Sequence, residues 1–221
     1  MEIVEEEEKL FAEWRKRHDK FVYDGVFDEN AYLSSKLKLL FLLKEANSDD
    51  SDWILEDRVQ TNKDRSTWDD LARWAYGISK LPEDVPWSEA RQIGADSDGE
   101  LRRDEILRPI AAMNLKKCPG KGRTYEKEFL EVVKRDKDLI REQFDLYKAD
   151  LVVCCSSIVA RAISHALGTL VWSEWSETNS GIKWLRYQGG LIVSYVHPEA
   201  HCPDNLKYAG IVAAVRELHI D

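Results

Sequence analysis

Short apolar runs alternate along this chain with segments in which apolar residues recur every three or four positions. The runs at 39–43, 110–115 and 151–155 are typical of strands that are buried on both faces. Helical spacing follows each of them, near residues 66–78, 125–147 and 158–167. Strands that alternate with helices predict an α/β fold, a three-layer α/β/α arrangement around a mostly parallel sheet.

The two ends of the chain complete this predicted architecture. An amphipathic cap helix is expected near the N-terminus, because four large apolar residues fall near one helical face: Leu10, Phe11, Trp14 and Phe21. Gln188-Gly189-Gly190 separates two apolar segments and predicts a hairpin that adds an antiparallel strand. We expect one domain over 1–221, with a helical cap over 1–35, a core over 37–203 and a C-terminal helix over 204–221.

Polar side chains follow each predicted strand where it ends. The four segments are Lys44-Glu45-Ala46-Asn47, Asn114-Leu115-Lys116-Lys117, Ser156-Ser157 and His197-Pro198-Glu199-Ala200. Ligands in open α/β sheets bind beyond the carboxyl ends of the strands, so these segments are expected to share one polar pocket. Each also has an ordinary structural explanation: a satisfied histidine, a turn or helix cap, or a Lys44–Glu45 ion pair.

The order and spacing of these segments resemble the uracil-DNA glycosylase superfamily. Its members carry a first motif such as G-E-A-P-G, G-Q-D-P-Y or G-x-N-P-G, then an Asn after the second core strand, then H-P-x after the last. This chain has L-L-K-E-A-N at 42–47, M-N-L-K-K at 113–117 and V-H-P-E-A at 196–200. The resemblance spans about residues 37–203, which is most of the chain.

The resemblance implies a uracil-DNA glycosylase-like fold and a DNA-repair type of hydrolysis. The N-glycosidic bond of a flipped or free pyrimidine nucleotide would be cleaved without a metal or cofactor. By the same resemblance, Asn114 reads the base edge, and His197 donates a hydrogen bond to the carbonyl oxygen that gains charge as the base leaves. Glu45 or Asn47 would hold the attacking water.

Further candidate binding residues lie near these motifs. The densest basic cluster consists of Lys116, Lys117, Lys121 and Arg123, and it is interpreted either as a solvated loop or as a set of phosphate contacts. Trp53 and Trp68 follow the first motif, where one of them could stack on a base or simply pack in the core. Ser156 completes the binding candidates.

The chain departs from the family pattern at four positions, Lys44, Asn47, Glu199 and Ala200. Lys44 stands where the family has glycine, and Asn47 where it has proline. Glu199-Ala200 replaces the small polar residue and the bulky wedge, and Glu199 would repel phosphates. Single-stranded nucleic acid, a free nucleoside or nucleotide, and no excision at all therefore remain open. Two other functions also remain open, a catalytically silent module that binds nucleotides or nucleic acid and a protein-interaction domain.

Composition narrows the classes of protein. The chain is 43% hydrophobic and 33% charged, which is typical of a globular protein. Its net charge of −9 counts against non-specific binding to duplex DNA. No apolar run approaches about 18 residues and the first residues are acidic, so we expect a cytoplasmic protein with no membrane partner. Free thiols are expected rather than disulfides or metal ligands at the four cysteines, Cys118, Cys154, Cys155 and Cys202. The oligomeric state is left open.

Overall fold

A computed structural model describes residues 2–47, 52–55, 65–94, 101–120, 125–169 and 171–219. Its helices are α1 (Ile3–Arg15), α2 (Glu29–Ser34), α3 (Arg65–Ser79), α4 (Trp87–Ala90), α5 (Arg103–Leu107), α6 (Glu126–Tyr147), α7 (Ser157–Leu167) and α8 (Asp204–Glu217). Its strands are β1 (Phe21–Tyr23), β2 (Gly25–Val26), β3 (Leu39–Asn47), β4 (Asp52–Ile54), β5 (Ile110–Gly120), β6 (Leu151–Cys155), β7 (Ser176–Glu177), β8 (Lys183–Tyr187) and β9 (Gly190–Tyr195). None of the described helices is long and apolar enough to cross a membrane.

The main sheet has seven strands in the order β2-β5-β3-β6-β9-β8-β7. Its centre is parallel, because β5, β3, β6 and β9 run in the same direction. The outer strands are antiparallel: β2 pairs with β5, β8 with β9, and β7 with β8. The α/β class is therefore confirmed, whereas the expectation of a mostly parallel sheet is wrong. The sheet is mixed because short edge strands, two of them only two residues long, extend the parallel core.

Helices cover both faces of this sheet. Along β3, Leu39, Phe41 and Leu43 belong to one apolar cluster, which includes residues of α3 and α8. Leu40 and Leu42 belong to the other cluster, with residues of α1, α6 and α7. This alternation follows from strand geometry, since successive side chains point to opposite faces. Burial of each such leucine stabilises the fold by about 2 kcal/mol.

Two predicted element boundaries are corrected. The first helix ends at Arg15, and Phe21 lies in β1, where its ring still packs against Trp14 at 6.4 Å between centroids. The helix α6 runs unbroken through Asp136, which is buried and pairs with His18 at 3.0 Å. The strand predicted at 110–115 continues instead as far as Gly120.

The strand order also marks where a ligand would bind. Among the four parallel strands, β3 comes first in the chain, β5 lies on one side of it, and β6 and β9 lie on the other. The chain therefore reverses its direction of winding at β3, next to β6. Such a switch point opens a crevice beyond the carboxyl ends of the strands.

Candidate functional site

A cavity of about 210 Å³ lies beyond the carboxyl ends of β3, β5 and β9. Its lining includes Glu45, Trp53, Trp68, Asn114, Gly120, His197 and Glu199. The structure thus brings together Glu45, Asn114 and His197, three polar residues that are far apart in the sequence. Pockets for drug-sized ligands usually exceed about 300 Å³, so this cavity suits a single small ring.

Strand register explains how Glu45 and Asn114 come together. In the parallel pair β3–β5, Leu43 lies opposite Asn114, and Glu45 lies opposite Lys116. Side chains that are two positions apart on a strand point to the same face of the sheet. Glu45 therefore shares the face of Leu43, and Asn114 shares the face of Ala112. Both side chains therefore project on the sheet face that α3 and α8 cover.

His197 is held as a neutral hydrogen-bond donor. The backbone N–H of Glu199 donates to its Nδ1 at 3.1 Å, so the ring proton of the neutral form is on Nε2. Burial lowers the pKa of His197, whereas the nearby Glu199 carboxylate opposes that shift. The ring therefore offers an N–H group without carrying a positive charge at neutral pH.

The loop that carries His197 is fastened to two helices. Lys207 of α8 donates to the carbonyl oxygen of Pro198 and forms an ion pair with Asp70 of α3 at 2.5 Å. The lysine is buried, at 3% exposure, so its charge needs these partners. Sequence reasoning missed Lys207, because Asp70, its partner on α3, is 137 positions away in the chain.

Glu199 is partly exposed to solvent and is hydrogen-bonded to α3. Its carboxylate accepts hydrogen bonds from the hydroxyls of Ser66 at 3.0 Å and Thr67 at 2.8 Å. Burial alone would raise the pKa of Glu199, but these hydrogen bonds lower it overall, so a negative charge is kept at the cavity. Ser66 and Thr67 lie inside the first turn of α3, which begins at Arg65, and both bind Glu199.

Glu45 is ion-paired within the cavity wall. Its Oε2 accepts from Lys116 Nζ at 2.8 Å, and Lys44 Nζ lies 3.9 Å from its other oxygen. The Glu45 carboxylate also packs on Gly120, where an added Cβ would overlap it. Lys116 makes a second ion pair with Glu128 at 3.3 Å, so the structure places this lysine on carboxylates of the chain itself.

Asn114 is oriented by Asp24, a residue that sequence reasoning did not identify. Asp24 Oδ2 accepts from the backbone N–H of Asn114 at 2.6 Å and from its side-chain Nδ2 at 3.1 Å. Both residues are buried. The available signal was a carboxylate inside the apolar segment F-V-Y-D-G-V, because a buried carboxylate requires hydrogen-bond donors.

The structure corrects the expectation for Lys117. Its side chain is fully buried, pairs with Asp24, and lies 5.2 Å from the ring centroid of Trp14. Burial lowers the pKa of Lys117, although the Asp24 carboxylate opposes that shift. Lys117 therefore supports the Asn114 site from beneath and does not contact phosphate. Lys121 and Arg123, the rest of the predicted basic cluster, lie outside the described residues.

The tryptophans form one side of the cavity. Trp53 and Trp68 are nearly fully buried, and their ring centroids are 6.4 Å apart. Phe27 packs edge-on against Trp68 at 6.1 Å. Trp68 Nε1 has no hydrogen-bond partner among the described residues. Both rings line the cavity and also belong to the apolar core, so the stacking of Trp53 on a base stays a prediction.

Two other predicted residues differ in position. Ser156 is not among the residues that line the cavity; its side chain caps α7 by accepting from the Val159 N–H at 3.4 Å. Its backbone φ of 148° is uncommon for any residue except glycine. Asn47 ends β3 opposite Gly120, but its side chain lies outside the described part of the chain, so its proposed catalytic role stays a prediction.

No protein-family model matches this chain, and no curated protein matches it. The resemblance to the uracil-DNA glycosylase superfamily therefore stays a prediction that rests on the residues named above. Within the described residues, no group of three or more His, Cys, Asp or Glu side chains could hold a metal ion.

Proposed function

We propose that this cavity binds a pyrimidine base and that the protein hydrolyses the bond between that base and its sugar. The substrate would be a nucleotide flipped out of a single strand, or a free nucleotide. The observation that carries the proposal is the pairing, in one small cavity, of the His197 Nε2–H donor with the Asn114 amide.

The size and charge of the cavity favour this class of ligand. A volume of about 210 Å³ accepts one ring, which leaves the sugar and phosphate outside. The Trp53 and Trp68 rings supply an apolar wall for a planar base. Glu199 adds a negative charge at the cavity and the whole chain carries −9, so a duplex with its dense phosphates is the less favourable substrate.

The chemistry follows from where charge develops. As the bond from the sugar carbon to the base nitrogen breaks, negative charge moves onto the base and its carbonyl oxygens. A neutral His197 donates to such an oxygen, and a preorganised donor of this kind accelerates a reaction by about a hundredfold or more. Water adds to the sugar carbon and loses one proton, and the departing base gains one, so the reaction balances.

Binding without turnover is the second candidate, and one observation favours it. An oxygen of Glu45 is occupied by Lys116 at 2.8 Å. A carboxylate in such a charge-assisted pair has fewer free positions for an attacking water. The protein would then recognise a base or nucleotide with the same cavity but leave the bond intact.

One experiment separates these functions. The protein is incubated with a single-stranded oligonucleotide that contains one deoxyuridine and, separately, with deoxyuridine monophosphate, and released uracil is measured by mass spectrometry. We expect release by the wild type and a loss of about a hundredfold in His197→Ala and Asn114→Ala. His165→Ala, at an exposed position on α7, is the matched control and should keep full activity.

Binding is measured in parallel by the thermal shift that free uracil produces. Stabilisation by uracil without its release would support the silent module. Neither release nor stabilisation would contradict both candidates and favour a structural role for these polar residues.

A further inference from the structure

We propose that Asp24 is a positioning residue that fixes the orientation of the Asn114 amide, and that it thereby determines whether the cavity accepts a uracil-type or a cytosine-type edge. This inference rests on the proposed binding of a pyrimidine base. It assigns the choice between bases to a residue beneath the cavity.

The geometry allows one orientation of the amide. The same Asp24 oxygen, Oδ2, accepts from the Asn114 backbone N–H at 2.6 Å and from Nδ2 at 3.1 Å. A half-turn of the amide would bring its oxygen against that carboxylate oxygen and replace attraction with repulsion. The loss of a hydrogen bond to a charged group corresponds to a factor of about ten to a hundred in the equilibrium between orientations.

Asp24 is itself held on its other oxygen. Oδ1 accepts from Lys117 Nζ and from Gln143 Nε2, the latter at 3.2 Å. Gln143 also donates to the hydroxyl of Tyr147 at 2.6 Å, and that hydroxyl donates to Glu7 at 2.7 Å. The network joins β5 to α6 and α1, so the carboxylate cannot turn without breaking several buried hydrogen bonds.

A fixed amide discriminates between the two pyrimidines. Uracil offers an N–H donor next to a carbonyl acceptor, whereas cytosine offers a ring-nitrogen acceptor next to an amino donor. An amide that is free to turn can pair with either edge, but a locked one pairs with one of them. If His197 donates to the carbonyl oxygen that uracil and cytosine share, it does not distinguish between the two bases. The discrimination then depends on Asn114 and Asp24.

The test compares the affinities of the full-length protein for free uracil and free cytosine by calorimetry. Wild type should prefer one base by about tenfold or more, because the other leaves buried polar groups unpaired. In the double variant Asp24→Ala/Lys117→Met the Asn114 amide is free to turn. Both charges of the buried ion pair are removed together, so neither remains without its partner. We expect its affinity ratio to lie within about threefold of unity, since the lock of about tenfold is gone.

Two variants control for structure. Asp24→Asn/Lys117→Met keeps an oxygen that can accept from Asn114, so the wild-type preference should return. Gln143→Leu removes one hydrogen bond to Asp24 Oδ1, but Lys117 still holds that oxygen and Asn114 keeps both bonds to Oδ2, so it should lower stability and leave the preference unchanged. A purely structural role for Asp24 would not separate these variants by base preference.

The outcomes distinguish this inference from the proposed function. Equal affinity of the wild type for both bases, or an unchanged preference in Asp24→Ala/Lys117→Met, overturns the role of Asp24 while base binding stands. If the wild type binds neither base, the proposed function and this inference both fail.

If the alanine variant does not fold, a measurement on the wild type decides. The lock predicts a strong nuclear Overhauser effect from one Asn114 Nδ2 proton to the Asn114 backbone proton, since both point at one oxygen. Two equally populated amide orientations would overturn the inference.

Discussion

Replacement of Lys117 by methionine tests whether the charges beneath the cavity form a buried ion pair. The lysine is fully buried against the Phe11 and Trp14 rings, so a methionine of similar shape keeps most of the packing. What is lost is the counter-charge of the Asp24 carboxylate. Removal of one partner of a buried pair costs about 3–5 kcal/mol. Asp24 keeps hydrogen bonds from Asn114 and Gln143. We therefore expect the free energy of unfolding to fall by about 3 kcal/mol, at the lower end of that range.

The assay is urea denaturation followed by tryptophan fluorescence and circular dichroism. Lys134→Met, at an exposed position of α6, is the matched control and should change stability by less than about 0.5 kcal/mol. Addition of Asp24→Asn to Lys117→Met removes the unpaired carboxylate charge and should restore about 2 kcal/mol of the free energy of unfolding. Such a recovery would show that the two substitutions are energetically coupled, as expected for residues in contact. If the Lys117→Met variant were as stable as the surface control, the buried ion pair would be refuted, and the Lys117 side chain would have to be exposed to solvent.

Three further predictions concern pH and packing. Because burial lowers the pKa of His197 and the reaction uses the neutral ring, base release should stay constant from pH 8 to about 6.5 and fall only below that; initial rates that rise as His197 gains a proton would contradict its role as a neutral donor. Hydrogen bonds with Asp136 and Cys118 raise the pKa of His18 to about 9, so its stabilisation is complete below about pH 6.5 and is lost as pH rises through 9. Wild type should therefore lose about 2 kcal/mol more than His18→Gln between pH 6.5 and 9.5 in urea titrations, and parallel losses would count against the pair. Gly120→Ala would push the Glu45 carboxylate aside and should lower base release by about tenfold with far less effect on base binding, whereas equal loss of both would mean that the cavity itself had closed.

The long apolar runs were sufficient to predict the core of the sheet. Residues 39–43, 110–115 and 151–155 all form central strands, because runs of that length cannot be exposed without a large cost. The rule that polar residues after parallel strands converge then placed Glu45, Asn114 and His197 at one edge, and all three line the cavity. The short strands β2 and β7 were missed, since two residues carry no periodicity.

The supporting residues could not be predicted for a different reason. Asp24 and Asn114 are 90 positions apart, and only the pairing of the edge strand β2 with β5 brings them together. Lys117 was misjudged because N-L-K-K looks like the beginning of a polar loop. The strand continues instead, and alternation turns Lys117 toward α1 and Lys116 toward Glu45.

The most direct measurement of the central claim is the nitrogen resonance pattern of the His197 ring, with and without free uracil. Comparison with the spectrum of His197→Gln identifies the signal among the five histidines. We predict a neutral ring at pH 7 that carries its proton on Nε2, and a shift of that N–H resonance when uracil is added. A ring that carries its proton on Nδ1, or an Nε2–H signal that saturating uracil leaves unmoved, would contradict a cavity in which His197 donates to a bound base.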